Sequence, residues 1–168
     1  QGMIHRDVTP GNILYDESGR IVLADFGLAR LASGARLTQT GVTTGTPVYM
    51  SPEQGLGQAG DARSDLYSLG VILYEMLTGQ APYEGESALA IIMKHLNDPL
   101  PTLKLQERSI SPAIQQVLMR ALAKDPADRY PDAQTFLKEF RLAAMDVMPT
   151  AIRTGLGTVV LPTPKAGP

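Results

Sequence analysis

The stretch "MIHRDVTPGNIL", residues 3–14, carries a carboxylate and an amide side chain close together, in front of an apolar run. Asp7 follows a histidine and an arginine, and Asn12 comes after four further residues. Carboxylate and amide oxygens are ligands for hard cations such as Mg²⁺. A carboxylate that binds no metal can take a proton from a hydroxyl group. We therefore interpret this stretch as a candidate loop for chemistry that uses a bound cation and a carboxylate that accepts a proton.

Two short apolar runs follow the stretch, at residues 13–15 and 21–24, with the turn sequence "DESGR" between them. This pattern predicts a β-hairpin. Residues 25–60 are then rich in Gly, Thr, Ser and Pro, with little apolar periodicity. A loop of that length inside a folded domain is usually functional.

Four later segments have apolar residues at three- and four-residue intervals and predict helices. They cover residues 64–78 and 87–96, and the last two begin at Ser111 and near Asp132. Ser87 and Ser111 are suitable N-caps. The pattern includes Met76 in the first helix, and it predicts that Leu137 in the fourth is buried.

Composition restricts the class of protein. The chain has 168 residues, 43% of them apolar and 19% charged, which is typical of a globular domain with a sizeable core. Its net charge of −2 gives no reason to expect nucleic acid as a partner. The absence of cysteine excludes disulfides and zinc-thiolate sites and suits the cytoplasm.

The two ends of the sequence differ in character from its centre. Gln1 is not preceded by a start methionine, so we expect the chain to begin inside a larger protein. Residues 147–168 are rich in Pro and Gly without periodicity and predict a linker or tail, which leaves one domain at residues 1–146. No apolar run approaches the ~20 residues of a membrane span, so we expect no membrane segment in this chain.

Three motifs occur in a fixed order: His5-Arg6-Asp7 with Asn12, Asp25-Phe26-Gly27, and "GTPVYMSPE" at residues 45–53. In this order and spacing, residues 1–146 resemble the C-terminal lobe of the protein kinases. The wording of "TQT", "YMSPEQ" and "SDLYSLGVILYEMLTG" is most similar to the bacterial serine/threonine kinases of eukaryotic type. The resemblance implies an α+β protein-kinase-like fold, here mainly the α-helical C-lobe with a short β-hairpin, the N-lobe being absent.

The resemblance implies an ATP-dependent reaction with Mg²⁺. It makes Asp7 the residue that accepts or orients the substrate hydroxyl, and it makes Asn12 and Asp25 the metal ligands. It places Leu14 beneath the adenine of ATP, supported by Ile72 and Met76. The partners that it implies are protein substrates, and a second copy of the kinase for phosphorylation in trans.

Further residues receive structural roles from the resemblance. His5 packs against Phe26, and the Thr46 hydroxyl contacts the catalytic aspartate. Asp65 hydrogen-bonds the backbone of the catalytic loop, although a carboxylate at a helix start has a simpler explanation in the helix dipole. Glu53 and Arg129 form a buried ion pair, where the alternative for Arg129 is a solvated surface arginine.

Regulation is implied by the threonines of the long loop. Arg6, beside the catalytic aspartate, can bind a phosphate bidentately and order the loop. In the bacterial kinases that this chain resembles, the threonines of "TQT" accept that phosphate, which indicates Thr38 and Thr40 here. Many such kinases continue into a membrane span beyond the kinase domain. We expect a cytoplasmic protein, either free or as the cytoplasmic part of a membrane-anchored kinase of this kind.

Thr9 departs from the family pattern. Serine/threonine kinases carry a lysine two residues after the catalytic aspartate, and tyrosine kinases carry an arginine there or two residues later, whereas this chain has Thr9 and Gly11. Loss of one preorganised hydrogen-bond donor to the transition state typically lowers the reaction rate by a factor of about 10²–10³. Because Asp7, Asn12 and Asp25 are intact, we favour a slow or compensated kinase.

Two alternatives follow from these motifs. The first is a pseudokinase that acts as a binding module, which an upstream region without a glycine-rich loop or strand lysine would favour. The second is a small-molecule kinase, which is disfavoured because those enzymes lack the "SPE" segment and the threonine-rich loop. Since the nucleotide-gripping elements are expected upstream of Gln1, we expect this chain alone to be inactive.

Overall fold

The two strands of the described residues form a β-hairpin whose register is set by a tight turn. In the computed structural model, which describes residues 4–25, 47–101 and 110–147, strand β1 (Ile13–Tyr15) pairs antiparallel with β2 (Ile21–Leu23), with Leu14 opposite Val22. The Asp16 carboxylate accepts hydrogen bonds from two backbone amides of the turn. This hairpin confirms the predicted one.

Five α-helices follow within the described ranges. They are α1 (Pro52–Gly55), α2 (Ala62–Thr78), α3 (Ala88–Asn97), α4 (Pro112–Ala121) and α5 (Ala133–Val147). Short 3-10 turns lie at Pro10–Asn12, Pro47–Tyr49 and Pro126–Asp128. None of these helices is long and apolar enough to cross a lipid bilayer.

The helix ends carry the capping residues that the sequence indicates. Ser87 accepts a hydrogen bond from the Ala90 amide, and Ser111 accepts one from the Ile114 amide. Helix α2 ends at Gly79, whose φ of 80° is a conformation that favours glycine. The four predicted helices are confirmed, with boundaries that differ by one or two residues.

Helix α2 is the centre of the core. Tyr67 and Val71 on this helix and Leu118 on α4 have no solvent exposure. The two helices approach closely at Gly70, where a Cβ atom would lie 3.1 Å from the Ala121 side chain. Because α2 is buried on more than one side, its polar-apolar pattern reveals only part of its buried face.

Two side chains in the predicted apolar patterns lie at the surface. Leu137 is 38% exposed, so the prediction of its burial is wrong: the inward stripe of α5 contains Phe136 and Ala143, and Leu137 lies beside it. Met76 is 74% exposed. It lies about two and a half turns from Tyr67, which puts it on the opposite side of α2.

Candidate functional site

The loop before the hairpin is held by a single carboxylate of α2. Asp65 accepts a hydrogen bond from the His5 amide at 2.8 Å and one from the Arg6 amide at 2.7 Å. Arg6 has a φ of 67°, which is unfavourable for a residue with a side chain. The two bonds to a charged acceptor stabilise this conformation.

The His5 ring joins the loop to the end of β2. Its Nε2–H donates to the Ala24 carbonyl at 2.8 Å, and Nδ1 accepts from the Asp7 amide at 3.3 Å. Since a carbonyl only accepts, these bonds assign the proton to Nε2. His5 therefore positions the backbone on either side of the site, immediately before Asp25.

Asp7 and Asn12 are in direct contact. The Asn12 Nδ2 group donates to the Asp7 carbonyl at 2.8 Å and to Asp7 Oδ2 at 3.3 Å. Within the described residues, these bonds leave Asn12 Oδ1 without a hydrogen bond. The Ala24 amide donates to the Asn12 carbonyl at 2.8 Å, which brings the exposed Asp25 close to Asn12 in the chain fold. The side-chain oxygen atoms of Asn12 and Asp25 are suitable ligands for a hard divalent cation.

Gln54 is a connection that sequence reasoning missed. Its Nε2 donates to the Arg6 carbonyl at 3.0 Å, while its Oε1 accepts from the amide and the hydroxyl of Ser51. This buried side chain fixes α1 to the candidate loop. The Ser51-x-x-Gln54 spacing is that of a capping box, so the sequence could have indicated the local bonds to Ser51, but not the bond to Arg6.

Glu53 and Arg129 form a buried bidentate ion pair. Their two N···O distances are 2.8 and 2.7 Å, and Ser64 donates a further hydrogen bond to Glu53. Burial alone would raise the pKa of Glu53, but the hydrogen bonds from Arg129 and Ser64 lower it below its ordinary value. Both side chains are nearly inaccessible to solvent. The pair joins α1 to the segment before α5.

The turn Pro47–Tyr49 is held from two helices. Ser68 of α2 donates to the Tyr49 carbonyl at 2.7 Å, and Tyr49 donates its hydroxyl to Glu75 at 2.7 Å. Burial and the Glu75 carboxylate raise the pKa of Tyr49 to about 12. His95 of α3 donates from Nε2 to the Val48 carbonyl at 2.9 Å. The three helix residues were not identified from the sequence.

An apolar face lies beside Asn12. Leu14 and Val22 are opposite each other in the hairpin, so they share one face of it. Their side chains are 49% and 44% exposed. Ile72 is buried in α2. Through Leu14 and Val22, the hairpin presents an apolar surface next to the polar groups of the loop.

Several predicted site residues lie outside the described ranges: Phe26, Thr38, Thr40 and Thr46. Thr9 is described and is half-buried. It precedes the 3-10 turn Pro10–Asn12 without a side-chain hydrogen bond to that turn. Thr9 lines a small cavity of about 10 Å³ together with Asp7, Tyr49 and Gln54.

Comparison with known proteins identifies the family. The protein kinase domain model matches residues 1–140. The chain is 38% identical to serine/threonine-protein kinase PknB of Mycolicibacterium smegmatis, over 98% of the chain and 29% of that protein. It is 46% identical to PknL of Mycobacterium tuberculosis, over 79% of the chain and 33% of the relative. For PrkC of Bacillus subtilis the identity is 39%, over 84% of the chain and 22% of the relative.

The chain spans about a third or less of the length of these curated relatives. The relatives are named serine/threonine kinases, and a mainly helical fragment with one two-stranded sheet is consistent with the predicted C-lobe. The predictions of family and of fold class are therefore confirmed. This chain belongs to the protein kinase domain family.

Proposed function

We propose that the complete protein is an ATP-dependent protein kinase that phosphorylates serine and threonine hydroxyls of other proteins. The observation that carries the proposal is the direct contact between Asp7 and Asn12 in a loop whose backbone is fixed by Asp65. A loop held in this way presents its oxygen atoms in one geometry, which is what phosphoryl transfer requires of a protein.

Each residue of the loop has one task in this proposal. Asp7 is half-buried and orients the substrate hydroxyl, whose proton it takes during transfer. Asn12 and Asp25 hold Mg²⁺ through their side-chain oxygens. When bound, Mg²⁺ neutralises charge on the transferred phosphate. His5 and Asp65 touch neither ligand and act by positioning the loop.

The hairpin supports the assignment of ATP as the other substrate. Leu14 and Val22 form an apolar surface that suits one face of an adenine ring. In the proposal, adenine and the N-terminal lobe cover this surface in the complete protein. Without that cover, residues 1–168 hold only half of the nucleotide site.

Regulation in this proposal depends on the loop that contains Thr38 and Thr40. Phosphorylation of these threonines, by a second copy of the kinase, creates a ligand for Arg6. Arg6 is partly buried next to Asp7, so a phosphate bound there acts on the loop that carries the catalytic aspartate. We infer a cytoplasmic location for this domain, whether it is free or attached to a membrane by another part of the protein.

One observation favours a second candidate function. Thr9 stands where serine/threonine kinases carry a lysine, and in the described residues its hydroxyl makes no hydrogen bond to the turn that follows. A rate loss of about 10²–10³ is expected from one missing donor. General acid–base and metal catalysis, which Asp7, Asn12 and Asp25 supply, remain. We therefore place a pseudokinase that acts as a binding module second.

The proposal is tested with the complete protein, ATP and MgCl₂, by intact-mass measurement. We expect added phosphate in the parent and none in Asp7→Asn. Asp128→Asn is the matched control, because Asp128 is an exposed carboxylate of the Pro126–Asp128 turn. Added phosphate in Asp7→Asn equal to that in the parent contradicts the role of Asp7. Retained nucleotide binding with no added phosphate in the parent favours the pseudokinase.

A further inference from the structure

His95 is a buried titratable residue for which the proposed chemistry has no use. Only 1% of its surface is exposed, and both ring nitrogens are hydrogen-bonded. Nδ1 lies 2.8 Å from the Tyr67 hydroxyl, and Nε2 lies 2.9 Å from the Val48 carbonyl. The ring therefore connects the centre of α2 to the turn Pro47–Tyr49.

The partners of His95 assign its tautomer. A backbone carbonyl only accepts, so Nε2 carries the proton that is donated to Val48. Nδ1 is then an acceptor, and the Tyr67 hydroxyl donates to it. Burial, and to a smaller extent the positive charge of Lys124, lower the pKa of His95 to about 4, against the effect of the bond to Val48. The neutral ring keeps this pattern of bonds at neutral pH.

The ring is enclosed on its other sides. Tyr83 packs edge-on against it, with 4.8 Å between ring centroids. Lys124 donates to the His95 carbonyl at 2.6 Å and to the Tyr83 hydroxyl at 3.0 Å. The titratable groups that surround His95, directly or through these neighbours, are Glu53, Tyr67, Tyr74, Tyr83, Asp98, Lys124 and Arg129. These neighbours enclose the ring on the sides that do not face Val48 and Tyr67.

Among the side-chain hydrogen bonds of the described residues, the bond to Val48 is the one that joins the turn to α3. The remaining side-chain bonds to the turn come from Ser68 and Glu75 of α2, and both involve Tyr49. Inside the turn, the Met50 amide donates to the Pro47 carbonyl at 3.2 Å. Within the described residues, His95 is thus the group that determines the direction of the Val48 peptide.

We propose that His95 is a positioning residue for protein substrate: it fixes the Pro47–Tyr49 turn, on which the substrate chain lies beside Asp7. This inference rests on the proposed kinase function, because it assigns the turn to the substrate. The turn and the catalytic loop line the same small cavity, through Tyr49 and Asp7. A shift of Val48 therefore changes the surface next to the proposed acceptor of the hydroxyl proton.

The test uses the complete kinase and a synthetic peptide of residues 33–45, which contains Thr38 and Thr40. His95→Leu removes the donor and leaves the Val48 carbonyl unpaired. The free-energy cost of an unpaired buried group typically corresponds to about a 10-fold change in an equilibrium constant. We expect the KM for the peptide to rise about 10-fold, with the KM for ATP and kcat changed less than about 2-fold. His95→Gln restores a donor at this position and is expected to recover most of the loss.

Two further variants separate positioning from stability. Tyr67→Phe removes the bond that orients His95 and is expected to raise the peptide KM less than His95→Leu does. Tyr83→Phe is the matched control, because it removes hydrogen bonds to Lys124 and Asp98 but none to the turn. It is expected to lower Tm while leaving the peptide KM unchanged. An equal rise in KM for Tyr83→Phe and His95→Leu overturns the proposal.

Hydrogen exchange of the turn gives a readout that does not depend on activity. In His95→Leu, we expect the amide of Met50 to exchange about 10-fold faster than in the parent, and in Tyr83→Phe we expect no change there. Unchanged exchange in His95→Leu refutes the positioning role. An inactive parent refutes the proposed kinase function instead, and the exchange measurement still decides whether His95 holds the turn.

Discussion

Two residues beside the candidate site, Arg6 and Asp25, have positive backbone φ angles of 67° and 53°. Such conformations cost free energy in residues with a side chain and persist only where surrounding contacts enforce them. For Arg6 the enforcing group is the Asp65 carboxylate, which accepts the amides of Arg6 and His5. The strained conformation of Arg6 thus depends on Asp65, which acts together with the bonds of His5 and Gln54 to the same loop.

Asp65→Asn tests this dependence in the complete protein. The asparagine side chain keeps one acceptor oxygen and replaces the other with an NH₂ group. This donor would face a backbone N–H, which also donates. Hydrogen bonds to charged groups contribute about 1.5–3 kcal/mol each, so we expect a loss of stability of about that size and a clear fall in kcat. Denaturant unfolding and initial rates measure both, and unchanged values for both contradict the role of Asp65.

Thr9→Lys tests whether the missing cation limits the reaction. If the rate loss is of the order of 10²–10³, the new ammonium group is expected to raise the rate of self-phosphorylation at least 10-fold. Thr9→Met is the control, because it adds length without charge. A rate that does not exceed that of Thr9→Met would mean that another group already compensates for the lysine.

At the scale of elements, the packing of α3 against the Pro47–Tyr49 turn makes stability depend on pH. His95 has a pKa of about 4 in the native protein and about 6.5 in an unfolded chain. Its contribution is therefore fully present above pH 6.5 and is lost as the pH falls from 6.5 towards 4. At pH 4.5 the loss amounts to about 2–3 kcal/mol, at 1.36 kcal/mol per pKa unit.

Denaturant unfolding of the complete protein at pH 7 and pH 4.5 measures this dependence. The glutamine in His95→Gln does not titrate. Between pH 7 and pH 4.5, we therefore expect the free energy of unfolding to fall about 2–3 kcal/mol less in the variant than in the parent. The Glu53–Arg129 pair also weakens in acid, since the pKa of Glu53 is lowered in the folded state. Because both proteins share that pair, the difference between them isolates His95. Equal losses contradict the assignment of a neutral, buried ring.

Local signals explain which elements could be predicted. The caps at Ser87 and Ser111 and the stop at Gly79 lie next to the residues that they affect, and the hairpin turn is equally local. Asp7 and Asn12 were selected by a spacing of a few residues. The apolar pattern places Leu137 on the wrong face, because the direction of the core relative to α5 depends on its neighbours in the fold.

The contacts that the sequence did not reveal join distant segments. Tyr67 and His95 are 28 residues apart, His95 and Val48 are 47 apart, and Gln54 and Arg6 are 48 apart. No periodicity or capping rule relates residues at such separations. For Glu53 and Arg129, the resemblance to the kinases is what predicts the pair.

At the scale of the whole molecule, the open hairpin face leads to a prediction for the chain by itself. Leu14 and Val22 are about half exposed beside the loop, and nothing in the described residues covers them. We expect no added phosphate when residues 1–168 are incubated with ATP and MgCl₂, under conditions in which the complete protein is modified. Intact mass measures this, and phosphate added to the isolated chain contradicts the need for a second lobe.

The bonds between Asp65 and the loop also affect the order in which the protein becomes functional during synthesis. His5 leaves the ribosome 60 residues before the carboxylate that holds it. At about 5–20 residues per second, this is an interval of roughly 3–12 s. A nascent chain arrested within that interval has its proposed catalytic aspartate but lacks the group that orders it. Under the proposed function, we therefore expect phosphotransfer to become efficient only after α2 has been translated.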